Sequence, residues 1–139
     1  MIILDTNVIS ERFRSAPDKR VDRWFDSIDQ ADAATTVITI AELRFGAARL
    51  PQGRRRAALE LWIDDLVADN FCDRIEEFGL AQANAYASIR AKRHHAGRPI
   101  AFQDAQIAAI CITRQAVLAT RNTKDFDDLG ITLINPWEH

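Results

Sequence analysis

The sequence predicts an α/β protein: a parallel sheet of about five short strands, covered by helices on both faces. Three observations lead there. Short apolar runs alternate along the chain with longer segments whose apolar residues recur at helical spacing. The 139 residues make one ordinary domain, residues 1–139, with no long linker, repeat or low-complexity tract. The composition, 47% hydrophobic and 27% charged with few glycines and prolines, is that of a globular chain with a single core. Strands that alternate with helices are joined by crossovers, so neighbouring strands run parallel and both sheet faces are buried.

Taken in order, Met1 to Leu4 reads as a buried strand. Asp18 to Ile28 reads as a helix, opened after Pro17 and carrying Val21, Trp24, Phe25 and Ile28 on one face. Ala33 to Ile38 is the second strand. Ile40 to Leu50 is helical until Pro51 and Gly53 break it. Arg54 to Asp69 follows as a helix with Leu59, Trp62, Ile63 and Leu66 aligned. Cys72 to Ile75 makes a short strand, and Leu80 to Ala96 a long helix stopped by Gly97 and Pro99. Ala101 to Gln115 repeats Ile107, Ile110, Cys111 and Arg114 at helical spacing. Val117 to Thr120 and Ile131 to Ile134 supply the last two strands.

Composition also excludes several classes. The formal net charge of −2 argues against a protein that coats nucleic acid by bulk charge. It leaves room for an enzyme that touches a few phosphates locally. No apolar stretch reaches the roughly 18 residues a membrane helix needs. The apolar opening meets Asp5 and has no basic flank, so it does not read as an export signal, and the cytoplasm is the expected compartment. Cys72 and Cys111 form no zinc or redox spacing and read as buried packing residues. His94 and His95 lack a partner at ligand spacing, and the glycines form no phosphate loop.

Open parallel sheets place their sites beyond the carboxyl ends of the strands. Asp5 follows the first strand there, and Arg121 and Asn122 follow Thr120 in the same way. Alone, Asp5 reads equally as a helix cap or a site residue. Glu42 follows Thr39 at capping-box spacing, so its local reading is a cap. Asp104 is sharper. It shares a helix face with Ile107, Ala108 and Cys111, where an unpaired carboxylate is costly unless it binds a cation. Acids gathered at one rim repel, and one would protonate without a cation. Arg121 is the one candidate counter-ion in these segments. Oxygen donors of this kind suit Mg²⁺ or Mn²⁺, which in turn suit phosphodiester hydrolysis. A phosphatase of the haloacid-dehalogenase type would need Asp-x-Asp, and the second position here is Asn7.

These same segments resemble PIN-domain toxins of the VapC/FitB type. Ile2-Ile3-Leu4-Asp5-Thr6-Asn7-Val8-Ile9-Ser10 is similar to the family's opening, and Thr39-Ile40-Ala41-Glu42-Leu43 to its second motif. Asp104-Ala105-Gln106-Ile107-Ala108-Ala109 resembles the third motif. Ala119-Thr120-Arg121-Asn122-Thr123-Lys124-Asp125-Phe126 resembles the fourth, and Asn135-Pro136-Trp137 the end. The resemblance spans nearly the whole chain in order. It implies an α/β/α sandwich, Mg²⁺- or Mn²⁺-dependent cleavage of RNA, a homodimer and a neutralising antitoxin from a separate chain. It places Asp5, Glu42 and Asp104 at the first three acidic positions, and Asn7 and Thr120 at supporting ones. It departs at Asn122, where many relatives carry aspartate. Asparagine ligates weakly and adds no charge, so Asp125 either compensates or only caps the next turn. The alternative is a PIN-like module that binds RNA or protein without catalysis.

Chemistry rather than resemblance assigns RNA backbone to Arg121 and to the acid-free stretch holding Arg90, Lys92, Arg93 and Arg98. The bland reading of that stretch is a solvated surface. Single-stranded or looped RNA is the expected substrate, because unpaired backbone bends into a cleft.

Overall fold

The computed structural model describes residues 1–139. Five strands, β1 (Ile2–Leu4), β2 (Ala33–Thr36), β3 (Ile75–Glu76), β4 (Val117–Ala119) and β5 (Leu133–Ile134), form one sheet in the order β3-β2-β1-β4-β5. Every pairing is parallel. The six helices are α1 (Thr6–Glu11), α2 (Lys19–Ser27), α3 (Val37–Ala48), α4 (Arg54–Asp65), α5 (Leu80–His95) and α6 (Phe102–Arg114).

The strands are short because each needs only to alternate between two cores. Ile3, Ala34 and Leu118 point into a cluster with α5 and α6, where Ile89, Ile107, Ile110 and Phe126 pack. Leu4, Ala33 and Ala119 face the other way, against Val8, Val21, Trp24, Leu43 and Ile63 of α1 to α4. This is the expected three-layer α/β/α sandwich. Burying an Ile or Leu side chain contributes about 1.5–3 kcal/mol, so the two clusters, rather than the few strand hydrogen bonds, hold the layers together.

Chain direction reverses its side of the sheet at β1. From β1 the chain builds outward through β2 and β3, then returns to lay β4 on the other side of β1. That is a topological switch point, and it opens a crevice beyond the carboxyl ends of β1 and β4. Asp5 and Thr120 are the first residues past those two ends.

Four details differ from the sequence expectations. The helix α1 is too short for periodicity to reveal. Strand β2 ends at Thr36, and α3 begins at Val37 rather than Ile40. The reason is a cap: Thr36 Oγ1 accepts from the Thr39 amide at 3.1 Å. The Thr39–Glu42 capping box therefore does not form, and Thr39 Oγ1 instead accepts from Thr6 Oγ1 at 3.2 Å. Cys72 is exposed, because it lies in the turn after α4 rather than in a strand, while Cys111 is buried as expected. Burial pushes the Cys111 thiol up to about 12, which makes it an inert packing residue. The long helix α5 stops as its glycine suggested: Gly97 adopts φ +69°, a left-handed turn that a side chain would strain. No helix is long and apolar enough to cross a membrane.

Candidate active site

Asp5 is pinned before its side chain is considered. Its amide donates to the Ala119 carbonyl at 2.9 Å, extending the β1–β4 ladder by one bond. Its carboxylate then works on both sides. Oδ1 accepts from the Thr6 amide at 2.8 Å, capping α1, and Oδ2 accepts from Thr120 Oγ1 at 2.7 Å and from Asn7 Nδ2 at 3.3 Å. The cap and site readings thus coincide in one side chain. Thr120 is fully buried, and its hydroxyl oxygen also accepts from the Asn122 amide at 3.1 Å. Asn7 Oδ1 accepts from the Arg121 amide at 3.1 Å. Asn7 and Thr120 therefore tie the segment after β1 to the segment after β4.

Glu42 reaches the same place from the second turn of α3, and Asp104 from the first turn of α6. Asp5, Glu42, Asp104 and Asn122 line one cleft of about 470 Å³. Thr6, Ser10 and Gln103 line it too, and sequence reasoning missed them. Thr6 and Ser10 stand one turn apart on α1, a spacing visible only once that helix is known.

The electrostatics are those of crowded acids. Burial raises the pKa of Asp5 despite the lowering hydrogen bonds from Thr120, Thr6 and Asn7, and the Asp125 charge adds to the rise. Asp104 is half-buried. Desolvation, then the Asp5 and Asp125 charges, push it up to about 6, with Arg93 opposing and Glu42 contributing. Arg121 is not the counter-ion: its charge acts on Asp18 rather than on Asp5 or Asp104, because its guanidinium stacks 4.9 Å from the Trp137 ring centroid. A second cavity of about 420 Å³, between α1, α2 and α4, holds Phe25, Trp62 and Phe71 with two arginines. It contains no acid or nucleophile and is remote from this chemistry.

Asn122 lies in the main cleft, and Asp125 does not. Asp125 lines an adjoining pocket of about 280 Å³ that shares Asp104 as a wall. The basic stretch behaves differently from either expectation. Arg93 is 3% exposed. Its Nη2 donates to the Asp125 and Asp127 carbonyls at 2.9 and 3.0 Å, and its Nε to Asp128 Oδ1 at 3.2 Å. Arg98 pairs with Asp127 at 2.7 Å and Asp128 at 3.1 Å, and Lys92 Nζ donates to the Asp128 carbonyl. These three cations hold the loop after β4 in place. Arg93 is almost wholly buried and commits Nε and Nη2 to that loop, so bracing the loop is its main role in the fold. Arg90 alone of the four takes no part in holding that loop; it donates to Tyr86 Oη at 3.3 Å and lies 4.5 Å from the Phe102 ring centroid.

A divalent cation fits this donor set. The cleft offers hard oxygen donors only, with an excess of negative charge and no lysine or arginine bonded to Asp5, Glu42 or Asp104. No three acidic, histidine or cysteine side chains lie close enough together to hold an ion as a ready-made group. The acids line the cleft as separate donors, an arrangement suited to an ion that keeps several waters.

A parallel sheet whose switch-point crevice gathers three acids from distant segments defines a class, and the comparisons agree with it. The family model for the PIN domain matches residues 2–131, and the chain belongs to that family. Within it the chain falls in the VapC/FitB branch. It is 38% identical over 138 residues to the VapC ribonuclease Y4jK of Sinorhizobium fredii, covering 99% of each chain. It is 39% identical over 137 residues to the toxin FitB of Neisseria gonorrhoeae, again covering 99% of each. The solved structure of FitAcB from Neisseria gonorrhoeae superposes with a TM-score of 0.93 at 38% identity over 100% of both chains.

Proposed function

We propose that this chain is the toxin of a toxin–antitoxin pair and acts as a metal-dependent endoribonuclease. The observation that carries the reading is that Asp5, Glu42 and Asp104 line one cleft, with the pKa of Asp5 and of Asp104 raised by burial and by neighbouring acids. Those three residues would hold Mg²⁺ or Mn²⁺, which when bound supplies positive charge to the phosphodiester and acidifies water. Thr120 and Asn7 fix the Asp5 carboxylate in its rotamer. Asn122 presents an amide at the cleft wall, able to orient phosphate or water without adding charge. The open cleft accepts a bent single strand more readily than a duplex. Arg90 and Arg121, at the surface, are the remaining candidates for RNA backbone contact.

Full-length similarity to a named ribonuclease and a named toxin supports the assignment. Similarity to FitAcB, and to FitAB bound to DNA, supports an antitoxin partner from a second chain. We also assign a homodimer and a cytoplasmic location on family grounds. The test is cleavage of a mixed panel of end-labelled RNAs by the purified chain in Mn²⁺, in Mg²⁺ and in EDTA. We expect cuts with either metal, none in EDTA, and none from Asp5→Asn. An RNA panel left intact by a protein that also binds no Mn²⁺ would overturn the nuclease and leave a non-catalytic binding module.

A further inference from the structure

The pocket beside the cleft holds a cation that neither the fold nor the acids use. Asp104 lines both the 470 Å³ cleft and the 280 Å³ pocket, so the two adjoin at that side chain. Three cations stand in the pocket wall: Arg93, Arg98 and Lys124. Arg93 and Arg98 are already paired with Asp127 and Asp128. Lys124 enters none of these pairs and is exposed. Its backbone is nonetheless rigidly placed. It belongs to the short turn Thr123–Phe126, whose last residue is 1% exposed in the core and whose Asp125 carbonyl is held by Arg93. A fixed backbone carrying an unpaired ammonium over a depression is a seat for an anion.

We propose that Lys124 seats the RNA phosphodiester that neighbours the one being cut. The inference rests on the ribonuclease reading and names the contact that the stretch from Arg90 to Arg98 was expected to make. Three of those cations brace the loop, and the loop presents Lys124. An ammonium on a flexible stem is a point charge, which suits a phosphate contact indifferent to base identity. The acids Asp104 and Asp125 share this wall, so the seat favours an anion once a divalent cation offsets their charge.

The test follows a fluorescein-labelled single-stranded RNA by anisotropy and by cleavage, across a salt series in Mn²⁺. It compares the parent with Lys124→Ala and Lys124→Arg, and calorimetry with Mn²⁺ alone checks the metal site. Removing one phosphate contact from a single strand should flatten the log–log salt slope of binding by about 0.7. We expect that flattening for Lys124→Ala, with affinity at low salt reduced about tenfold. We expect recovery in Lys124→Arg and unchanged Mn²⁺ affinity in both. A parent that cleaves, with the same slope in Lys124→Ala, overturns the seat and leaves the ribonuclease standing. A parent that binds but never cleaves overturns both readings, since the slope change then marks a phosphate contact with no cut beside it. A parent that does neither removes both.

Discussion

Asp104→Asn should lose about a thousandfold or more in RNA cleavage and, in EDTA at pH 7, melt about 3 °C higher than the parent. The two effects share one cause. Positive charge placed on a transferring phosphate is worth several kcal/mol in the transition state, and about 4 kcal/mol corresponds to a thousandfold. The carboxylate that recruits this charge is a burden without it. Its folded pKa of about 6 lies above the ordinary 3.8, so the native state holds the proton more tightly than the unfolded chain. Stability therefore falls as pH rises from about 4 to about 6, and the whole cost is present at pH 7. Half of the side chain meets solvent, which reduces that cost to ~1 kcal/mol. The amide is neutral at every pH and escapes it. The advantage of the variant should shrink as pH falls below 6 and vanish near pH 4. Mn²⁺ should reverse the order at pH 7, since it stabilises only the protein that binds it. Thermal melts at pH 4, 5.5 and 7, with EDTA or Mn²⁺, read all of this. A variant less stable than the parent in EDTA at pH 7 would show that Asp104 is a structural acid.

This trade between stability and recruitment is why the site was partly legible before the fold was known. Asp104 announced itself because a carboxylate on an apolar helix face breaks a local rule. Asp5 was visible from its place at a strand end, where the switch point later fell. Glu42 was marked only by the resemblance, because its local reading was a cap. The box with Thr39 does not form, since Thr36 caps α3 three residues earlier. Its spacing from β2 still brought it to the rim, because helix entry after a short parallel strand leaves little room for another direction. What stayed hidden depends on long-range partners. The supports of Asp5 by Thr120 cross 115 positions of sequence. The acids that occupy Arg93 and Arg98 lie 29 to 35 residues downstream, so their stretch reads as a free basic patch. Cys72 read as a strand residue because the run Cys72 to Ile75 reads whole as a strand, whereas β3 is only Ile75 and Glu76 and Cys72 lies in the turn before it.

Arg93→Met should destabilise the fold by about 2 kcal/mol, whereas Arg98→Met should leave stability close to that of the parent. Both arginines meet the same acids, so counting ion pairs would make them equal. Burial separates them. Arg98 is a surface pair in which water replaces whatever is lost. Arg93 is 3% exposed, and two of its acceptors are backbone carbonyls that no other side chain reaches. Methionine keeps the apolar stem and removes every donor, so the deficit measured is that of unsatisfied carbonyls, about 1 kcal/mol or more each. Lysine does not restore it, because one ammonium cannot reproduce a planar fork that reaches Asp125, Asp127 and Asp128 together. Urea unfolding of the three variants in EDTA gives the comparison. The loop that Arg93 holds carries Asp125 and Lys124 beside Asp104, so its release should also lower RNA affinity in Arg93→Met while Arg98→Met stays near the parent. Equal losses of stability in the two methionine variants would mean that the loop is held by surface charge alone, and that the buried arginine is no more than a neighbour of the site.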